Sequence, residues 1–342
     1  MAVIEPPPAN ILFIAVSRIG DTLFATPAIR AVATAYPGAR ITVLGHPKRA
    51  EVFEHLPFVH HVGAITKGRA SWRGWLGAKA FDLAFVFGFD EALVAYALRT
   101  AKRVVAFEQA DQKLNRQLFR AVPRPAFQSE HAVRQLLRLP AALGIPPAGL
   151  RIAFQVTDSE TASAVRRLTA AGIGTNRPLV GLQVASFATK SYRDWPIENF
   201  AALCDHISSR WPQARFLIYG GPEEHERTGW LRQHLGQRAA LFAGTLSLRE
   251  TAALMTLTDL YVGVDTGPTH IMSAFDIPLV ALYHCISSSG LTGPLEHPCA
   301  YPIDHPATRE DCNESAAMAD IPVDTVFAAV ARALMDHPPR PR

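Results

Sequence analysis

Only four cysteines, Cys204, Cys285, Cys299 and Cys312, occur in 342 residues, and no two stand in a CxxC spacing. That spacing is what a zinc knuckle or a dithiol redox centre requires, so neither is expected. The four are instead expected as isolated buried thiols of a reducing compartment. No apolar run approaches the ~20 residues that cross a bilayer. MAVIEPPPAN has neither the basic start nor the apolar core of a signal peptide. Any membrane contact is therefore expected from one side. The charge is also sparse: 34 Lys and Arg against 30 Asp and Glu leave a net +4 with no basic run, which excludes a polyanion-coating protein, and no nucleic acid partner is expected. The turn after the first apolar run, SRIGD, has one glycine and no GxGxxG, so a dinucleotide pyrophosphate is not expected there. His60 and His61 in FVHHVG read as strand residues, and no metal site is expected.

What is present is a well-cored chain, 49% hydrophobic with a mean hydropathy of +0.09. NILFIAV, ARITVLG, FDLAFVF and KRVVAF alternate with helix-length segments, the mark of parallel strands joined by helical crossovers. The rhythm restarts with PLVGLQV, ARFLIYGG, AALFAG, DLYVGVD and IPLVALYH. Pro and Gly clusters separate the two series. The expectation is an α/β protein with a Rossmann-like domain over 1–155, a hinge over 156–177, a second such domain over 178–321, and a C-terminal helix and tail over 322–342. Open sheets of this kind hold ligands at the carboxyl ends of their strands, and the two halves are expected to face one cleft.

Several turns at those ends carry chemistry. In VSRIGDTLFATPAIR, Asp21 is either a helix N-cap or a proton acceptor, and the local pattern does not choose. In YVGVDTGPTH a strand ends at Asp265, Thr266 and Gly267 turn, and a helix is expected through His270 to Ala274. Its first amide groups suit a phosphate or, equally, an ordinary cap. QVASFATKSYRDWP places Lys190 and Arg193 in a loop after a strand, where a cation 4 Å from phosphate is worth ~4 kcal/mol at a dielectric of 20 before desolvation. LIYGGPEEHE adds a glycine pair followed by Glu223 and Glu224, either of which could accept from ribose hydroxyls.

Together these blocks resemble the bacterial ADP-heptose lipopolysaccharide heptosyltransferases of glycosyltransferase family 9, which have the GT-B fold. The resemblance spans most of the chain and rests on SRIGDTLFATPAIRAVATAYPGARITVLG, KSYRDWPIENFAAL, GGPEE and VGVDTGPTHIMSAFDIPLVALY. It implies an inverting glycosyltransferase moving heptose from ADP-heptose to a lipid-linked core saccharide. By position, Asp21 would be the catalytic base, Lys190 would contact donor phosphate, and Glu224, with Glu223 as the fallback, would bind the nucleoside sugar. Asp265, Thr266, Gly267 and His270 would wrap the diphosphate and heptose. The chain departs from the pattern in HCISSSGLT, where relatives often carry a Gly-Pro-Thr turn, and 299–319 holds no interpretable motif.

No cofactor is expected beyond Mg²⁺ as an optional helper, because Lys190 and amide groups can neutralise a diphosphate. Arg30, Lys48, Arg49, Lys67, Arg69 and Arg73 are expected near an anionic acceptor, and Trp72 and Trp75 suit a membrane interface. The expected location is cytoplasmic, peripheral on the inner membrane. The competing readings are a GT-B transferase using another nucleotide sugar, and a sugar-nucleotide epimerase or a binding protein on the same frame.

Overall fold

The computed structural model describes residues 4–72, 79–126, 128–186, 188–309 and 312–339. Arg73 and Trp75 lie outside them, as does the side chain of Trp72. The chain divides into two compact units, Met1–Gln155 and Val156–Arg342.

The first unit holds strands β1 (Asn10–Ala15), β2 (Arg40–Gly45), β3 (His61–Ala64), β4 (Phe81–Phe87), β5 (Ala101–Phe107) and β6 (Arg120–Val122). They form one parallel sheet in the order β3-β2-β1-β4-β5-β6. The second unit holds β7 (Leu179–Gln183), β8 (Arg215–Tyr219), β9 (Ala239–Leu241), β10 (Leu260–Val264), β11 (Leu279–Tyr283) and β12 (Ala300–Asp304). Its parallel sheet runs β12-β11-β10-β7-β8-β9, which repeats the order of the first. This is the doubly wound arrangement. Its connections part in opposite directions at β1/β4 and at β7/β10, which opens a crevice at the carboxyl ends of each pair.

The central strands are continuous apolar runs because both faces are covered: Ile11 to Ala15, Leu179 to Gln183 and Leu260 to Val264 are all buried. Register stacks Ile11 between Ile41 and Leu83, and Leu182 between Val262 and Ile218. Strands β3, β6 and β12 lie at sheet edges, are partly exposed, and lack an apolar run; His61 of FVHHVG opens β3 as read from the sequence, with His60 just before it, whereas patterning missed β6 and β12.

The stretch expected as a hinge, 156–177, is largely a helix, Asp158–Ala170, started by a capping box of Thr157 and Glu160. Glu160 bonds Arg249 on the helix Leu248–Met255, with Arg249 Nη2 to Glu160 Oε2 at 2.8 Å. The C-terminal helix Val323–Asp336 buries Val326, Val330, Ala333 and Leu334 in the core of the second unit.

Candidate functional site

In the first unit, the helix Ile19–Phe24 follows β1 with Arg18 at its N-cap position. Asp21 therefore sits inside the first turn and is not the cap. Ser17 Oγ donates to Asp21 Oδ2 at 2.8 Å, and Arg49 Nη1 holds the Ser17 carbonyl at 2.8 Å. The Asp21 residue is exposed and lines a cavity of about 470 Å³ with Ser17, Phe24, Lys67, Phe87 and Phe89, at the β1/β4 crevice. Lys67 pairs with Asp90 at 2.8 Å on this cavity's wall, and the Arg124 guanidinium lies 4.6 Å from the Phe89 ring centre. Of the cations expected to meet an acceptor, Arg30 is spent on the Ala148 and Arg151 carbonyls, and Arg49 on Ser17. Lys48, Lys67 and Arg69 are exposed.

In the second unit, Asp265 directly follows β10 with a side chain only 1% exposed. It accepts from Arg193 Nη1 and Ser287 Oγ, each at 2.8 Å, and its Oδ1 lies 3.2 Å from His270 Nε2. Burial pushes its pKa up, but His270, Arg193 and Ser287 outweigh it and the net direction is down. Both hydrogen bonds fall on Oδ2, while Oδ1 is buried without a hydrogen-bond partner among the described residues and meets His270 only at ion-pair distance, so Asp265 orients Arg193 and faces His270. Arg193 is thus a site residue that sequence reading noticed only as a loop cation; its separation from Asp265 by 72 positions concealed the pairing. Thr266 stands at the N-cap position of the short helix Gly267–Met272 but makes no side-chain capping bond, and its hydroxyl is buried without a partner among the described residues. The helix stops two residues short of the Ala274 expected, at Met272.

The loop after β7 is braced at both ends. Ser186 N and Oγ donate to Asp194 Oδ1 at 2.7 and 2.6 Å, and Arg227 Nη1 pairs with Asp194 Oδ2 at 2.6 Å. Trp195 is fully buried and donates through Nε1 to the Ile321 carbonyl at 2.9 Å. Within this frame Lys190 Nζ lies 3.2 Å from the Tyr192 hydroxyl and 3.8 Å from Glu314 Oε1. After β8, Glu224 Oε2 accepts from Gly221 N at 2.7 Å. Gly220 has φ +159°, and a Cβ there would stand 2.4 Å from Glu224 Oε2, so this position requires glycine. Burial lifts the Glu224 carboxyl to about 7, with Asp194 and Glu223 adding to the rise against Gly221 and Arg227. Glu223 is exposed. A cavity of about 750 Å³ in the second unit lies by Asp259, Asp276 and Asp336 at the opposite strand ends and has the wrong sign for a diphosphate.

Two of the four cysteines depart from expectation. Cys285 and Cys312 form a disulfide, whereas Cys204 and Cys299 are buried and take no part in it. The pairing joins positions 27 apart that share no local motif. His284 Nδ1 lies 3.7 Å from the Cys285 sulfur, and Nε2 bonds the Ala316 carbonyl at 3.0 Å.

The sequence model of glycosyltransferase family 9 (heptosyltransferase) matches residues 69–304. Lipopolysaccharide heptosyltransferase 3 of Escherichia coli is 24% identical over 282 residues, covering 77% of this chain and 80% of that protein. Among solved structures, a family 9 glycosyl transferase from Veillonella parvula aligns with a TM-score of 0.83 at 19% identity, over 96% of this chain and 98% of that one. ADP-heptose lps heptosyltransferase II of E. coli aligns with a TM-score of 0.79 at 21% identity, over 96% and 99%. The GT-B fold is thereby shared.

Proposed function

Because the chain belongs to glycosyltransferase family 9, the heptosyltransferases, it is a glycosyltransferase, and we propose that it transfers heptose from ADP-heptose to a lipid-linked lipopolysaccharide core saccharide with inversion. The observation that carries the donor assignment is the buried Asp265 bonded to Arg193 and facing His270 at the carboxyl end of β10. Such a carboxylate holds a cation in place before the ligand arrives, which lowers the cost of ordering it on binding.

In this reading Arg193, Lys190 and the amide groups of Thr266 and Gly267 neutralise the diphosphate, and His270 orients the sugar. Glu224 accepts from the ribose hydroxyls. Asp265 acts through Arg193 and His270. These groups let transfer proceed without a protein-bound metal, with Mg²⁺ from solution as a helper. On the first unit, Asp21 takes the proton of the acceptor hydroxyl. The oxygen attacks the anomeric carbon opposite the diphosphate; the new C–O bond forms as the bond to phosphate breaks, and ADP leaves.

The described residues contain no helix long and apolar enough to cross a membrane. The exposed Lys48, Lys67 and Arg69 support contact with an anionic acceptor and with the cytoplasmic face of the inner membrane. Incubation with ADP-heptose and heptose-deficient lipopolysaccharide should add one heptose by mass spectrometry, while UDP and GDP sugars should give none. Transfer from one of those sugars, or donor turnover independent of acceptor, would replace this reading. Sedimentation with anionic liposomes tests the membrane contact; protein left in the supernatant would reject it.

A further inference from the structure

The disulfide Cys285–Cys312 stands beside the proposed donor site and touches it from two directions. Cys285 opens a short 3₁₀ turn, Cys285–Ser287, directly after β11, and Ser287 in that turn bonds Asp265. Cys312 begins the strap 312–317, an exposed turn in which the Ala316 amide donates to the Asn313 carbonyl. At the tip of this turn Glu314 is 66% exposed, with a carboxylate oxygen 3.8 Å from Lys190 Nζ.

The strap is anchored on both sides of Glu314. Behind it, His284 bonds the Ala316 carbonyl at 3.0 Å and His305 bonds the Ala317 carbonyl at 2.9 Å. Ahead of it, the anchor is the disulfide. The same neighbourhood carries the donor loop, since the Tyr192 ring packs edge-on to His284 at 4.9 Å and supports Lys190 Nζ at 5.1 Å. A carboxylate held beside Lys190 competes with a diphosphate for that cation and repels it. Of the two anchors, only the sulfur bond can be broken and remade by thiol chemistry.

We infer that Cys285–Cys312 is a reversible redox modification site that controls donor binding: the disulfide holds Glu314 over Lys190, and its reduction frees the strap and opens Lys190 to the diphosphate. The inference rests on the assignment of Lys190 to donor phosphate. The step consumes a dithiol reductant. One S–S bond breaks in the protein and one forms in the reductant, with two electrons and two protons passing to Cys285 and Cys312. Reoxidation by a disulfide reverses it.

The test is titration of ADP into the wild-type protein in its oxidised form and after dithiothreitol, with thiols counted by alkylation and mass spectrometry. Reduction should tighten ADP binding roughly two- to fivefold, the scale of an exposed ion pair. E314Q, which keeps the disulfide, should bind in both forms as the reduced wild type does. Cys312→Ser should bind at that strength and ignore dithiothreitol. Equal affinity in the two wild-type forms, weaker binding on reduction, or four free thiols in aerobically purified protein would each overturn the inference. Failure of ADP to bind either form would instead reject the donor site itself, and the switch with it.

Discussion

At the scale of single residues, two carboxylates with opposite settings make the sharpest predictions. Asp21 is exposed and held by Ser17, as a base that must meet an incoming hydroxyl requires. Asp21→Asn should lower kcat by ~10²- to 10⁴-fold and leave ADP affinity in place; near-normal turnover would remove Asp21 from catalysis. Glu224 is instead held up at about 7 by burial. A carboxyl raised in the folded state binds its proton more tightly there than in the unfolded chain. Its ionisation therefore costs stability as pH climbs from the ordinary 4.5 through about 7. The melting temperature of Glu224→Gln minus that of the wild type should grow between pH 5 and pH 8. A constant difference would place the carboxyl at an ordinary pKa. Arg193 shows the limit of reading residues singly. Its loop was visible in the sequence, but its bond to Asp265 links a loop after β7 to the end of β10, and only strand pairing brings those together.

At the scale of elements, the helix Asp158–Ala170 occupies a stretch whose flanking Pro and Gly residues suggested a hinge. Local signals do start it, since Thr157 and Glu160 form a capping box. The helix lies in the second unit, where Glu160 bonds Arg249, whose side chain is 10% exposed, and Arg167 pairs with Glu250. The Arg249 hydrogen bond, with help from Thr157 and against burial, draws the Glu160 carboxyl down to about 2. For a depressed carboxyl the stabilisation is complete above the ordinary 4.5 and is lost as pH falls toward about 2. Arg249→Met should cost about 2–3 kcal/mol in urea unfolding at pH 7, as loss of charged hydrogen bonds does. The gap from wild type should narrow between pH 5 and pH 2.5; a gap independent of pH would mean the pair contributes packing alone.

At the scale of the molecule, each unit carries its own sheet and its own apolar core, centred on Leu12, Ile14, Ala84 and Val86 in one and on Leu182, Trp195, Phe216 and Val262 in the other. Unfolding in urea, followed by fluorescence, should resolve two transitions. ADP at a hundredfold excess over its Kd should stabilise the second unit by ~2.7 kcal/mol and leave the first unmoved. A shift of the first unit's transition alone would put the nucleotide on the wrong half. The sequence by itself determined the central strands, the crossover helices, the doubling of the pattern and the strand-end position of Asp21, Lys190, Glu224 and Asp265. Buried parallel strands are continuous apolar runs, and ligand turns follow them directly, so both signals are local. Only the tertiary structure decided the edge strands β6 and β12, the partners of Asp265, the pairing of Cys285 with Cys312 and the placing of Glu314 beside Lys190. Each of these is a contact between residues distant along the chain, and such contacts leave no periodicity to read.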